Sequence, residues 1–295
     1  MRMRKGNYRS YFYCAVFLIF FNSFCIPSLC AATINIDQSK IRHSIAPGNS
    51  RSGFIEVQNF TPSDIMVRAY LEDWTYSRTQ DGTKNFYPPG TMPRSAASWI
   101  SFVPSEFLVP ANSSQRVNYT VKVPKDASGA AFAVLFFESI MGRQTIQDAV
   151  GMNVTLRIGS LFYIEVEGSA VRQADIGDFS FAYLSDEGAS EISLDLKNTG
   201  TSDIIADAQF HIMDNTGMVF DRGQFPPAYT LPGDSVRVSA KARQKLKPGV
   251  YSLVITIDLG KALKDLGLPS GPIIVKETSL SVSPDGTVTQ KGEFK

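Results

Sequence analysis

The histidines are the residues in this chain best suited to catalysis or metal binding, and their positions argue against either. The chain has two of them, His43 and His211, in different halves of the sequence. No cysteine lies near either one, so neither has the spacing of a metal-ligand set. We interpret His43, beside Arg42 in a polar stretch, as a solvated surface residue. His211, between Phe210 and Ile212, is interpreted as an outward-facing strand residue.

The acidic residues do not form a site either. Glu72 and Asp73 are adjacent, and adjacent strand residues point to opposite faces, so the pair cannot converge on one substrate. Residues 214–217 (Asp-Asn-Thr-Gly) resemble the start of a calcium loop, but no glutamate closes it, and a hairpin turn explains them better. Neither a Gly-x-Ser-x-Gly elbow nor a phosphate-binding loop occurs. We therefore expect no catalytic residue, no metal and no cofactor.

The most informative pattern is an internal repeat of three sequence blocks. Residues 56–65 return as 195–204, residues 110–117 return as 232–238, and the stretch 124–137 is echoed by the apolar run 247–255. The blocks keep their order at a separation of about 120 to 140 residues, which is the size of one domain. This repeat predicts two tandem domains of one fold.

Apolar residues recur with period two, as in β-strands. Val117, Tyr119 and Val121 alternate with polar residues. The nearly continuous apolar run 131–137 predicts a strand that is buried on both faces or against a second sheet. Turn residues separate these runs, and the one helical segment predicted is short, at 261–266. The fold class expected is all-β, with two tandem immunoglobulin-like β-sandwich domains.

The predicted boundaries follow from the same patterns. The first domain covers residues 33–167 and the second covers 178–283. Residues 284–295 form a polar tail that we expect to be disordered.

Residues 1–32 have the features of an export signal. A basic start precedes an apolar run that is short for a membrane span, and small residues follow. All three cysteines lie in this segment, so the mature chain would use no disulfide. The segment carries four basic and no acidic residues, so its removal takes the net charge from +1 to −3. We expect a periplasmic protein with no membrane span after signal removal and no binding to nucleic acid.

The segment best suited to binding a partner is the predicted last strand of the first domain. It carries an apolar alternation of five residues: Val150, Met152, Val154, Leu156 and Ile158. An exposed sheet edge can take up an extended strand from another protein by β-augmentation. The alternative is an ordinary final strand that packs one face on its own core.

Several stretches resemble the PapD-like family of periplasmic pilus and fimbrial assembly chaperones, in a divergent form. Residues 99–117 resemble the middle of that family's first domain. The run 160–163 (Ser-Leu-Phe-Tyr) is similar to the end of its subunit-binding strand, and 34–40 is similar to its first strand. The resemblance implies β-strand donation to pilin-like or other exported β-rich subunits. The resemblance further implies an outer-membrane usher as a partner, and a small-molecule substrate is not expected.

The resemblance also implies two basic residues that hold the subunit's terminal carboxylate. Lys40 matches the first position, and Ser160 stands at the second, where it supplies no charge. Arg157 is the nearest cation, but its strand position places it on the other face from Ser160. The apolar alternation is out of phase with the family's, and a bulge near Gly159 would restore it. A second function stays open, that of a non-catalytic structural or adhesive module of the cell envelope.

Overall fold

The computed structural model describes residues 34–78, 82–144, 152–184, 189–264 and 270–295. The predicted signal segment 1–32 lies outside these residues. Among the helical residues described, none form a segment that is long and apolar enough to cross a membrane.

The first half of the chain folds into two β-sheets packed face to face. Its strands are β1 (Ile34–Ile36), β2 (Lys40–Ile45), β3 (Ser50–Asn59), β4 (Ile65–Tyr76), β5 (Lys84–Tyr87), β6 (Ile100–Val103), β7 (Glu106–Val109), β8 (Ser113–Lys122), β9 (Ala130–Gln144) and β10 (Met152–Val166). One sheet has the order β1-β3-β8-β6, and the other has the order β2-β10-β9-β4-β5 with β7 paired to β4. The parallel pairing of β2 with β10 is combined with antiparallel pairing elsewhere. Two such facing sheets form an immunoglobulin-like sandwich.

Strand β9 is the centre of this first sandwich. Every residue from Ala130 to Phe137 is buried, as the continuous apolar run predicted. Odd-numbered residues such as Leu135 and Phe137 lie in the core between the two sheets. Even-numbered residues such as Phe132 and Phe136 lie on the outer face, in an aromatic cluster with Trp74. This strand therefore has a packed environment on both faces.

The second half of the chain forms another sandwich with its own core. Its elements are β11 (Ala174–Leu184), β12 (Ala189–Asn198), β13 (Ile204–Met213), β14 (Val219–Gln224), β15 (Ala228–Thr230), β16 (Ser235–Ala242), β17 (Gly249–Asp258), the short helix α1 (Lys261–Lys264), β18 (Ile273–Val282) and β19 (Val288–Lys291). The sheet β11-β12-β16 packs on the sheet β14-β13-β17-β18-β19, with β15 paired to β13. The all-β prediction of two immunoglobulin-like sandwiches is confirmed.

The sequence repeat corresponds to a repeated side-chain arrangement. The buried Asn59 side chain donates to the Ser63 carbonyl at 2.8 Å and accepts the Thr61 backbone N–H at 2.9 Å. The buried Asn198 side chain donates to the Ser202 carbonyl at 3.0 Å and accepts a backbone N–H two residues on, also at 3.0 Å. Asn59 thus closes the turn after β3, and Asn198 closes the turn after β12. Each satisfies backbone groups that would otherwise be buried without partners.

The prediction of a disordered polar tail is wrong. Strand β19 pairs with β18, and the Lys295 backbone exchanges hydrogen bonds with Glu277. The Phe294 ring stacks on Phe179 at a centroid distance of 5.2 Å. One aromatic residue and the open edge of β18 hold a segment whose composition is otherwise polar.

Candidate functional site: the open edge of strand β10

Strand β10 has a free edge over its first nine residues. Its pairing with β9 runs along almost its whole length, but its other neighbour, β2, pairs only with residues 161–166. Among the described residues, no strand pairs with Met152 to Ser160 on the side away from β9. An edge of this length presents unpaired backbone groups to another chain.

The backbone groups that face this open edge can be assigned from one hydrogen bond. The Leu161 N–H donates to the Ser39 carbonyl at 3.0 Å, on the β2 side. The register between β10 and β9 is continuous from Val154 to Glu165. Because backbone direction alternates along a strand, the N–H and C=O groups of Thr155, Arg157 and Gly159 point toward the open edge. These three residues are the hydrogen-bonding positions available to an added strand.

Only part of the predicted apolar alternation lies within the residues that the structure describes. Val150 lies outside the described residues, and Met152 and Val154 belong to β10. Leu156 and Ile158 are half-buried and pack against the core of the first sandwich. Their exposed portions border the open edge, where the side chains of an added strand could cover them.

Lys40 lies where the open edge ends. In the parallel pairing of β2 with β10, Lys40 is the Cα partner of Leu161, and its side chain is exposed. A strand added along the free edge would occupy the line of β2, upstream of Lys40. If that strand ran parallel to β10, its C-terminal carboxylate would arrive beside the Lys40 ammonium group, a charge pair that favours this orientation.

Arg157 lies on the same outer face as Lys40, four residues before Leu161, the partner of Lys40 on β10. This separation is about 13 Å at the rise of a strand. Its guanidinium group lies 4.4 Å from the Phe136 ring centroid and 3.3 Å from a Glu72 carboxylate oxygen. Hydrogen bonding to Tyr70 raises the pKa of Arg157, and Glu72 adds to the effect. Arg157 therefore has partners within its own sheet, whereas no ion pair joins Lys40 to another residue in the described part of the chain.

Ser160 and Gly159 account for two further features of the edge. The buried Ser160 hydroxyl donates to the Gln38 carbonyl at 2.7 Å, so it fixes the turn that leads into β2. A bulge near Gly159, which would have restored the family's phase, is not present in the pairing with β9. The register is continuous there and shifts only between Met152 and Val154. A Cβ at position 159 would lie 2.8 Å from the Phe136 ring, so the glycine is needed for this ring to cover the strand.

A buried ion network joins the two sandwiches next to Lys40. Arg42 donates two hydrogen bonds to the Asp203 carboxylate, at 3.0 and 2.6 Å. Asp203 is fully buried, and its backbone carbonyl accepts a hydrogen bond from the Arg172 side chain. Arg172 also forms an ion pair with Glu165. Burial would lower the pKa of Arg42, but the Asp203 carboxylate outweighs it, and the net shift is upward. The Arg42 guanidinium group covers the ring of Tyr163, whose pKa burial raises to about 12.

The internal repeat aligns Asp203 with Asp64 of the first half, but it did not predict the buried ion pairs of Asp203. The pair Ser202-Asp203 repeats Ser63-Asp64 of the first half. Asp64 is exposed and accepts the backbone N–H of Ala111 at 2.9 Å. Only the packing of the second sandwich against the first buries the equivalent carboxylate, and sequence spacing does not record that packing.

Two of the other candidate residues have structural roles. Asp73 is buried and accepts Met92 N–H at 2.9 Å, whereas Glu72 lies on the outer face with Arg157.

The interpretation of His43 as a solvated residue is wrong. Its Nε2 lies 3.0 Å from the Tyr119 hydroxyl, and its Nδ1 is buried without a partner among the described residues. Within the described ranges, no group of three or more His, Cys, Asp or Glu residues could hold a metal ion.

No protein-family model and no curated protein sequence matches this chain. Solved structures similar to it include the class 5 fimbriae chaperone CfaA, at 10% identity, with 82% of this chain and 98% of that chain covered and a TM-score of 0.46. The CupB2 chaperone of Pseudomonas aeruginosa is similar at 9% identity, with 87% and 97% covered and a TM-score of 0.36. The YadV chaperone is similar at 10% identity, with 88% and 97% covered and a TM-score of 0.38. All three TM-scores lie below 0.5, and the identities are 10% or lower.

Proposed function

We propose that this chain is a periplasmic, non-catalytic chaperone that binds an exported β-rich subunit by strand pairing at the open edge of β10. The observation that carries the proposal is the coincidence of a nine-residue free edge with an exposed lysine at its end. Thr155, Arg157 and Gly159 would provide the backbone hydrogen bonds, and the apolar residues of β10 would contact the subunit's apolar side chains.

Lys40 would hold the subunit's terminal carboxylate and so fix a parallel orientation. Arg157 is the weaker candidate for this contact, because it already pairs with Glu72. We also propose that the two sandwiches are separate domains, at residues 33–167 and 178–283. Their cores share no residue, which supports this division.

The test is recovery of a bound subunit from periplasmic extract with the tagged mature chain, in three forms. The wild type and Thr155→Ala should recover a small exported subunit in near-equal amounts. Thr155→Pro removes the edge N–H but no hydrogen bond to β9, so it should lose the subunit. The thermal unfolding of all three forms is measured alongside. Recovery of the subunit by a folded Thr155→Pro chain would contradict the proposal.

A further inference from the structure

A groove on the outer face of the second sandwich brings together basic and amide side chains. It has a volume of about 520 Å³ and lies over strands β13 and β14. Its polar side chains are those of Gln209, His211, Arg222, Gln224 and Arg243. These residues offer hydrogen-bond donors, and none of them is acidic.

The register of the sheet places four of these side chains on one face. His211 is the Cα partner of Arg222, and Gln209 is the Cα partner of Gln224. Directly paired residues point to the same face of a sheet, so the two pairs form adjacent rows. Between the rows, Gly223 is the Cα partner of the buried Phe210, whose ring packs against the core side of the sheet, where a Cβ on Gly223 would lie 2.5 Å from it. The two strands under the groove are therefore packed closely on the core from below.

The fifth side chain is brought in by a buried carboxylate. Asp221 accepts the backbone N–H of Arg222 at 2.7 Å and the backbone N–H of Gln244 at 2.9 Å. It thus ties the segment after β16 to strand β14 and places Arg243 beside Arg222. Asp221 is buried, whereas Arg222 and Arg243 are exposed and both line the groove.

Neither arginine forms a salt bridge within the described part of the chain. Two other exposed arginines are paired there: Arg237 lies 3.0 Å from Asp195, and Arg157 lies 3.3 Å from Glu72. Asp207, an acidic residue of β13, is paired with Lys261 at 3.1 Å. Two exposed guanidinium groups without an acidic partner, in a chain of almost balanced charge, leave a local positive potential at this groove.

We propose that this groove binds a phosphate group, with Arg222 and Arg243 as its charged donors and His211 and Gln209 as further donors. Two guanidinium groups can each donate two parallel hydrogen bonds to the oxygens of a multivalent oxyanion. The site lies on a different sandwich from the β10 edge and is independent of the proposed chaperone function.

The test uses two probes of the mature chain. Inorganic phosphate is titrated into the protein and the heat of binding is measured by calorimetry. Binding to vesicles of phosphatidylglycerol is compared with binding to vesicles of phosphatidylcholine alone. The double variant Arg222→Gln and Arg243→Gln should weaken binding by about ten-fold or more, since hydrogen bonds between charged groups are lost. The charge-matched control, Arg116→Gln and Arg237→Gln, should bind as the wild type does.

Two results would support the site, and they distinguish the two sources of the phosphate group. Binding of inorganic phosphate that depends on the groove arginines indicates a free phosphate or phosphorylated solute. Arginine-dependent binding to phosphatidylglycerol vesicles, without binding of inorganic phosphate, indicates a lipid headgroup. The proposal is overturned if the folded groove variant binds both probes as tightly as the wild type, or if the wild type binds neither.

Discussion

Lys40 lies opposite Leu161 in the parallel pairing of β2 with β10, at the residue where the β10 edge stops being free. This relationship gives the edge a direction. A strand added upstream of Lys40 and parallel to β10 ends at a positive charge, whereas an antiparallel strand would place its N-terminal ammonium group there.

Lys40→Met should weaken subunit binding by about ten-fold while the subunit still pairs with the edge. The reason is the loss of one charge-assisted hydrogen bond to the terminal carboxylate. The dissociation constant of the purified complex measures the effect. Lys122→Met removes an exposed lysine from the other sheet and serves as the control. Equal affinities for the two variants would exclude Lys40 as the carboxylate contact.

Asp203→Asn should destabilise the chain strongly, by about 3–5 kcal/mol, because it leaves buried Arg42 and Arg172 without a full counter-charge. The free energy of unfolding is measured by denaturant titration. The control is Asp195→Asn in the exposed pair with Arg237, which should cost at most about 1 kcal/mol. Similar losses in the two variants would show that the network contributes little to stability.

Gly159→Ala should reduce stability by about 1–3 kcal/mol, because the new methyl group overlaps Val134 and Phe136 in the described packing. Gly177→Ala is the matched strand control, since its nearest neighbour would be 3.6 Å away. The two unfolding midpoints should differ clearly. An unchanged midpoint for Gly159→Ala would mean that the Phe136 ring moves aside at no cost.

Stability should fall as the pH drops through about 6.5, the ordinary pKa of histidine in an unfolded chain. Burial, helped by the charge of Arg51, lowers the pKa of His43 in the folded chain. The unfolded chain therefore binds a proton that the folded chain binds only at lower pH, and acid favours unfolding between the two pKa values. His43→Gln should flatten this part of the curve of unfolding free energy against pH.

The second histidine supplies the control for that experiment. His211→Gln removes the histidine on the outer face of the second sandwich and leaves His43 in place, so it shows whether the slope comes from His43. A slope that survives in His43→Gln, or that disappears in His211→Gln, would assign the acid sensitivity to another group.

Local patterns predicted the strands well and the tertiary contacts poorly. The apolar run 131–137 is a strand buried on both faces, because continuous apolar character needs packing on each side. The alternation around His43 did not show that its ring faces Tyr119 on the opposite sheet, since that contact joins residues far apart in sequence. The network of Arg42 and Asp203 was missed for the same reason.

The open edge of β10 was predicted only in part. The sequence indicated a last strand with alternating apolar residues, and it indicated Lys40 through a resemblance. It did not predict that β2 pairs with β10 from residue 161 onward only. That partial pairing leaves the edge free and places Lys40 at its end, next to the turn that the Ser160 hydroxyl bonds through the Gln38 carbonyl.

Hydrogen exchange at the β10 backbone tests the central proposal most directly. The amides of Thr155, Arg157 and Gly159 point to the open edge, so they should exchange rapidly in the free chain and become strongly protected in the complex with the recovered subunit. The amides of Leu156 and Ile158, which face β9, should be protected in both states. If the three edge amides exchange equally fast with and without the bound subunit, strand pairing at this edge is contradicted.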